Sequence, residues 1–394
     1  MRRDRVVLLI GLGIDNVGSG LFLPLSVLYV NQVIGLPLAL AGSALTMGSI
    51  TGLAVPALAG RIVDRVGPKT VLITAQLVQA AGVGGYLLAR EVAGVVVAAA
   101  LLTGGQQLFY CSVFALVADV TDATPDGAAP GARERAFAQA NMTRAGSFGL
   151  GALGAGLLLV PVGPPGLGAA AVLDVVSFLG AAMLLTTLRV RHPAPPSAAA
   201  DGGGVLRDRP YLALIATTGL AVAAVDFFLV GFPVFVIERL SGPTWLPGTA
   251  LVVLATLTGL CGTGALRATR RLGRITALRV GAAGHAVWCA LCLAVPLVPT
   301  GWRPCYLLAG TAVLAVAGLV FTPYATALSE AAAPRHHRGR YLAAFQYAFT
   351  VSHVLTPLLV GLFAVADPLP WLFVGGAALV AVIAFPVVGR QLAG

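Results

Sequence analysis

The sequence predicts an all-α membrane protein, with twelve transmembrane helices in two pseudo-symmetric halves of six. Three observations carry that expectation. The 394 residues are 58% hydrophobic and only 10% charged, with a mean hydropathy of +0.91, whereas a soluble domain carries about 25% charged residues. The apolar residues fall in a dozen runs, each near the roughly 20 residues that a helix needs to cross a bilayer. Similar features also recur in the same order in the two halves of the chain.

The runs lie at about 6–30, 38–60, 70–89, 92–118, 136–160, 167–188, 211–237, 246–266, 276–297, 304–329, 341–364 and 369–389. The first is too long for the apolar core of a signal peptide and is followed by no small-residue cleavage site, so it reads as a retained span. Pro24, Pro56, Pro233, Pro323 and Pro357 lie inside the runs. They would break soluble helices but are tolerated in lipid, where no other structure satisfies the backbone.

Basic residues set the topology. Arg90, Arg239 and Arg303 fall in loops of one side and Arg144 deep inside a span; all the other lysine and arginine residues fall on the opposite side, Arg279 just within the inner end of its span. Basic loops mark the cytoplasmic face, which puts both termini in the cytoplasm of a multi-pass cell-membrane protein. Trp245, Trp302 and Trp371 sit at the outer ends of their spans, as an interfacial belt requires. The net charge of +10 is scattered through short loops, which argues against nucleic acid as a partner. Cys289 and Cys292 have a CxxC spacing, but they lie in an apolar span without a second pair and are expected, with Cys111, Cys261 and Cys305, to be inert thiols. There is no phosphate-cradling Gly-Lys-Ser/Thr loop and no metal-ligand spacing. No cofactor, no metal and no enzymatic activity are therefore expected.

The longest polar break runs from Arg189 to Arg209 and contains His192-Pro-Ala-Pro-Pro-Ser and Asp201-Gly-Gly-Gly, the composition of a flexible linker. It divides the chain into an N-terminal six-helix half (1–188), a cytoplasmic linker (189–209) and a C-terminal six-helix half (210–394). The halves look related. Gly13-Ile-Asp15 followed by Pro24 in the first span matches Ala224-Val-Asp226 followed by Pro233 in the seventh. Asp119 ends the fourth span as Glu330 ends the tenth, and Arg133-Glu-Arg135 precedes the fifth as Arg338-Gly-Arg340 precedes the eleventh. With Arg135 set against Arg340, Asn141 falls opposite Gln346. Internal duplication of this kind recurs in secondary transporters.

Between the second and third spans stands Gly60-x-x-x-Asp64-Arg65-x-Gly67-x-Lys69. In position and residue types it resembles the loop motif of the major facilitator superfamily, and the resemblance covers essentially the whole chain. A worn second copy, Arg270-Arg271-Leu-Gly273-Arg274, lies between the eighth and ninth spans; Pro68 departs from the basic residue common at its place. The resemblance implies a cavity between the halves and alternating access by rocking of one against the other. It also implies a gate formed by Gly60, Asp64, Arg65, Gly67, Lys69 and Asp119. The glycines permit a sharp turn, and Asp64 can oppose a helix dipole, which the resemblance places at the start of the eleventh span. Arg65 and Lys69 can pair with Asp119 at the inner end of the fourth, contacts that exist only when the cytoplasmic side is closed; alternatively they are topology determinants only. Asn141-x-x-Arg144 followed by Gly149, Gly151, Gly154 and Gly156 looks like the glycine-rich fifth span of exporters in this superfamily, although the Gly-Pro pair of the drug–proton antiporter motif is missing. The run Asp174-Val-Val-Ser177-Phe178 is similar to one in macrolide and siderophore exporter branches, and Thr103 stands near where many antiporters have a membrane arginine.

Charged groups inside spans are costly, about 2.5–3.5 kcal/mol at mid-bilayer by insertion scales, and persist where they face protein or water. Asp15 lies about 13 Å into the first span at a rise of about 1.5 Å per residue, and Asp226 occupies a comparable place in the seventh. Burial disfavours the charged form of a carboxyl, so either can exchange a proton; the alternative is a fixed structural carboxyl. Arg144 cannot lose its charge and needs a carboxylate partner, first of all Asp15, or an anionic substrate. Asn141 lies one turn before it on the same face. Asp174 reads equally well as a structural partner of Ser177. His353 and His285 are mid-span and can equally be satisfied helix contacts. The candidate substrate and proton residues are thus Asp15, Asp226, Arg144, Asn141, His353 and Gln346. Phe22, Phe109, Tyr110, Phe227, Phe228 and Tyr324 would suit an apolar or aromatic compound if they face a cavity.

The expected function is proton-coupled efflux (antiport) of a small organic compound or drug, by a monomer whose partners are substrate, protons and the bilayer. A proton symporter importing a nutrient is the alternative. A membrane enzyme would show clustered catalytic residues, and a sensor an extra soluble domain; the sequence shows neither.

Overall fold

The computed structural model describes residues 2–55, 62–63, 65–123, 132–162, 165–189, 205–269, 272–334, 341 and 344–393. Among them the regular structure is helical, and the chain separates into two compact units, Met1–Ala198 and Ala199–Gly394. The first unit contains α1 (Arg2–Phe22), α2 (Ser26–Gln32), α3 (Leu38–Ser49), α4 (Pro68–Leu88), α5 (Val92–Asp122), α6 (Ala132–Val162) and α7 (Pro165–Thr186). The second contains α8 (Arg209–Val234), α9 (Trp245–Thr269), α10 (Arg274–Ala294), α11 (Arg303–Ala332), α12 (Tyr347–Gly361) and α13 (Leu369–Ala393). Among the described residues, nine helices are long and apolar enough to cross a membrane, and Leu38–Leu53 and Trp245–Thr258 are shorter apolar helices. The outward residues include Val6, Met47, Leu150, Met183 and Ile383, a surface suited to lipid.

The two units are built alike. In the first, α1 packs on α6 and α7, α4 on α5 and α7, and α3 on α5. In the second, α8 packs on α12 and α13, α10 on α11 and α13, and α9 on α11. Each pairing in one unit has its counterpart in the other, in the same chain order. The prolines that follow Asp15 and Asp226 act alike too. Pro24 lies in a 3₁₀ turn, Leu23–Leu25, between α1 and α2; Pro233 lies near the end of α8, which runs on into a π turn at Phe235–Arg239. A proline lacks the N–H of a regular helical bond and forces such adjustments.

Glycines set the closest approach in the first unit. A Cβ on Gly20 would overlap the Phe148 carbonyl, and one on Gly151 the Val17 carbonyl. Small residues let helix backbones meet in lipid, where water supplies no drive for association. Gly151, within the glycine run of the fifth span, thus serves the α1–α6 contact.

The second unit is held at one end by a polar network. Asp208 caps α8, its Oδ1 accepting from the Tyr211 N–H at 3.0 Å, while its Oδ2 accepts from the Tyr341 hydroxyl at 3.0 Å. The Tyr211 hydroxyl in turn donates to the Tyr341 carbonyl at 3.0 Å. Elsewhere in the unit, Trp371 packs edge-on against Phe227, Phe235 and Trp288. It is only 2% exposed, which removes it from the expected interfacial belt, whereas Trp302 is 69% exposed. Edge-to-face contacts with the surrounding rings hold the indole there.

Candidate functional site

In the first unit the candidate residues gather around Asp15. It is buried on α1, where Asn16 Nδ2 donates to its Oδ2 at 2.9 Å and also to the Leu12 carbonyl at 2.8 Å. Gln76 of α4 lies beside the Asp15 carboxyl. Gln76 is 1% exposed; the Asp15 carboxyl is within reach of its buried amide, without the geometry of a full hydrogen bond. Neither Asn16 nor Gln76 is among the residues singled out by sequence. Gln76 and Gln79, two amides three residues apart in an otherwise apolar span, were the available signal.

Arg144 of α6 is close enough to act on Asp15 through its charge, yet among the described residues no carboxylate lies within the 4 Å of an ion pair to it. Its guanidinium instead lies over the rings of Phe109 and Tyr110 on α5, 5.1 Å from each centroid, and its Nε is buried without a partner. The expected Asp15–Arg144 contact is thus a through-space interaction rather than a bonded pair. Asn141, one turn earlier, is exposed. Asp174 of α7 is buried and within electrostatic reach of Asp15. The Ser177 hydroxyl donates to the Asp174 backbone carbonyl at 2.8 Å and stands 3.5 Å from its carboxylate. A Cβ on Gly18, one turn beyond Asp15, would overlap both side chains, so α7 sits hard against α1 here.

In the second unit two separately chosen residues meet. His353 Nδ1 on α12 stands 3.7 Å from Asp226 Oδ1 on α8, with side-chain exposures of 23% and 19%. That separation is long for a direct hydrogen bond but strongly attractive once the imidazole is protonated. The arrangement repeats that of the first unit: an acid on the first long helix faces a basic side chain on the helix packed against it, α1 with α6 and α8 with α12. Gln346 is exposed at a break in the eleventh span, immediately before α12, where its carbonyl accepts from Thr350 N at 3.0 Å. His285 is buried, its Nδ1 2.8 Å from the Ala221 carbonyl, a structural contact between α10 and α8.

The turn between the second and third spans is described in part; Gly60 and Asp64 lie outside the described residues. Gly67 has φ +84°, a conformation that a side chain disfavours. Gly273, its counterpart in the worn copy, has φ −63° and no such need of glycine. Lys69 Nζ donates to the Thr186 and Leu188 carbonyls at 2.9 and 2.6 Å, at the C-terminal end of α7. Unpaired carbonyls at a helix end attract the ammonium, and here they, rather than Asp119, hold Lys69. Arg65 is exposed, and Asp119 has a partner of its own. Of the six aromatic residues considered for substrate contact, Phe22, Phe109, Phe227 and Phe228 are buried in packing. The Tyr324 hydroxyl donates to the Thr269 carbonyl at 2.9 Å, and Tyr110 is 44% exposed.

Residues 8–303 match the family described as the Major Facilitator Superfamily. No curated protein matches the chain. Among solved structures the chain is similar to a bacterial homologue of the iron transporter ferroportin in an inward-facing state (TM-score 0.78, 16% identity, 98% of this chain and 99% of that one). It is also similar to the nucleoside transporter NupG (TM-score 0.77, 13% identity, 98% and 99%) and to the peptide-family transporter PepTSo (TM-score 0.75, 13% identity, 100% and 98%). At these identities the likeness speaks to the fold.

Proposed function

The chain belongs to the major facilitator superfamily, a family of membrane transporters, and from that premise we propose that it exports a small organic compound in exchange for protons. The observation that supports proton coupling is the Asp226–His353 pair, two titratable groups on facing helices, each about one-fifth exposed. A proton arriving there changes the charge of the pair and with it the state that the transporter favours. Asp15 is the corresponding acid of the first unit. Efflux as the direction draws on the exporter-like fifth span and on the run Asp174–Phe178. Solved structures of similar fold name peptides, nucleosides and iron as cargo of other proteins, which leaves the substrate open to chemical argument.

In this reading the turn at Gly60–Lys69 touches no substrate. Gly67 and Lys69 hold its far end to α7, and Asp64, Arg65 and Asp119 govern the inner gate. Alternating access follows as the transport cycle.

The test is transport into and out of proteoliposomes, after a ligand-stabilisation screen followed by counterflow has supplied a substrate. An imposed pH gradient, acidic on the side that receives the compound, should drive its movement, and Asp226→Asn and Asp15→Asn should each weaken that drive. Unchanged gradient-driven transport in both variants rejects proton coupling at these sites. Co-directional movement of substrate and protons would select the importing symporter.

A further inference from the structure

Arg144 is the permanently charged group in the middle of α6, and its surroundings lack a counter-charge in bonding range. Among the described residues no carboxylate pairs with it. Asp15, the acid within reach of its charge, is already bonded by Asn16. The guanidinium rests on the ring faces of Phe109 and Tyr110, at 5.1 Å from each. Ring faces hold a guanidinium by cation–π attraction and leave its N–H edge unused. One of those N–H groups, Nε, is buried with no acceptor. Gln76, whose buried amide stands against the Asp15 carboxyl, engages that acid further. Buried donors are normally satisfied, so an unsatisfied N–H on a fixed positive charge without a bonded counter-ion has the character of a site awaiting an acceptor. Tyr110, 44% exposed, offers a ring beside it for an apolar or aromatic body.

We infer that Arg144 binds an anionic group of the substrate, so that the transported compounds are organic acids, carboxylates with an aromatic or apolar body. The planar fork of arginine matches a carboxylate with two parallel hydrogen bonds. The inference rests on the transport reading above and narrows its substrate class.

The test compares benzoate, benzyl alcohol and benzylamine, which share a ring and differ in charge, at matched ionic strength. Ligand-induced shifts in melting midpoint are measured on the full-length protein in detergent, for wild type, Arg144→Lys and Arg144→Gln. Benzoate should stabilise the wild type more than either other probe. Arg144→Lys keeps the charge but loses the fork and should bind benzoate about tenfold more weakly; Arg144→Gln should lose the preference for benzoate. If Arg144→Gln fails to fold, Arg144→Lys carries the comparison. Equal stabilisation by the three probes, no stabilisation by benzoate, or benzoate binding unaltered in Arg144→Lys overturns the inference. Counterflow in proteoliposomes separates the two readings. Benzylamine or benzyl alcohol moving without benzoate leaves transport standing and removes the anion site. Arg144-dependent benzoate binding without any flux keeps the site and removes transport.

Discussion

Gly151 sits in α6 against the Val17 carbonyl of α1, and the methyl group of an alanine there would overlap that carbonyl. The obstacle is backbone, so no side-chain rotation relieves it, and α1 and α6 must separate. Glycine to alanine within a helix ordinarily gains about 1 kcal/mol. Overpacking a close contact costs about 1–3 kcal/mol. Because the overlap is with a fixed carbonyl, the loss belongs at the upper end, and Gly151→Ala should destabilise by about 1–2 kcal/mol net. Gly146 on the same helix has nothing within 4 Å of the place its Cβ would take. Gly146→Ala should therefore be neutral or stabilising by up to about 1 kcal/mol. The pair is compared by thermal unfolding of the purified protein in one detergent. Since α1 carries Asp15 and α6 carries Arg144, Gly151→Ala should also weaken ligand binding. A melting midpoint for Gly151→Ala at or above that of Gly146→Ala would refute the close-packed α1–α6 interface.

Lys69→Met removes two charge-assisted bonds at the end of α7 and should lower stability by about 1–2 kcal/mol. Arg65→Met, at an exposed position, should stay within about 0.5 kcal/mol of wild type; equal losses in thermal unfolding would contradict the helix-end role of Lys69. Tyr341→Phe removes the hydroxyl bond to Asp208 and should cost about 1 kcal/mol. The loss should largely vanish when Asp208 is already alanine; additive losses in that double-mutant cycle would show the bond to be idle.

Much of the fold was legible because lipid imposes a strict rule on sequence: long apolar runs, charge confined to loops, and intramembrane charge only where it has a use. Asp15, Arg144, Asp226 and His353 stood out singly for that reason. Their grouping was less legible, since sequence gives depth along a span but not the facing of one span toward another. The duplication held a usable hint: if the first and fifth spans bring Asp15 near Arg144, the seventh and eleventh should bring Asp226 near His353, as they do. Lys69 shows the same limit: the carbonyls it bonds, at the end of α7, come from residues 117 and 119 positions away, which no local pattern announces. Trp371 misled because its place near a span end resembles that of Trp302 until the surrounding rings are seen. Gln76 was passed over because an amide in a span carries no charge to draw notice.

Proton exchange at Asp226–His353 is tested most directly by the protons that move when substrate binds. A compound found by the stabilisation screen is added in saturating amount to purified protein in weakly buffered detergent solution, with a pH-indicator dye as readout. The account predicts proton release from the wild type and a smaller release from Asp226→Asn. Proton uptake, no proton movement, or a release unaltered in Asp226→Asn would contradict it.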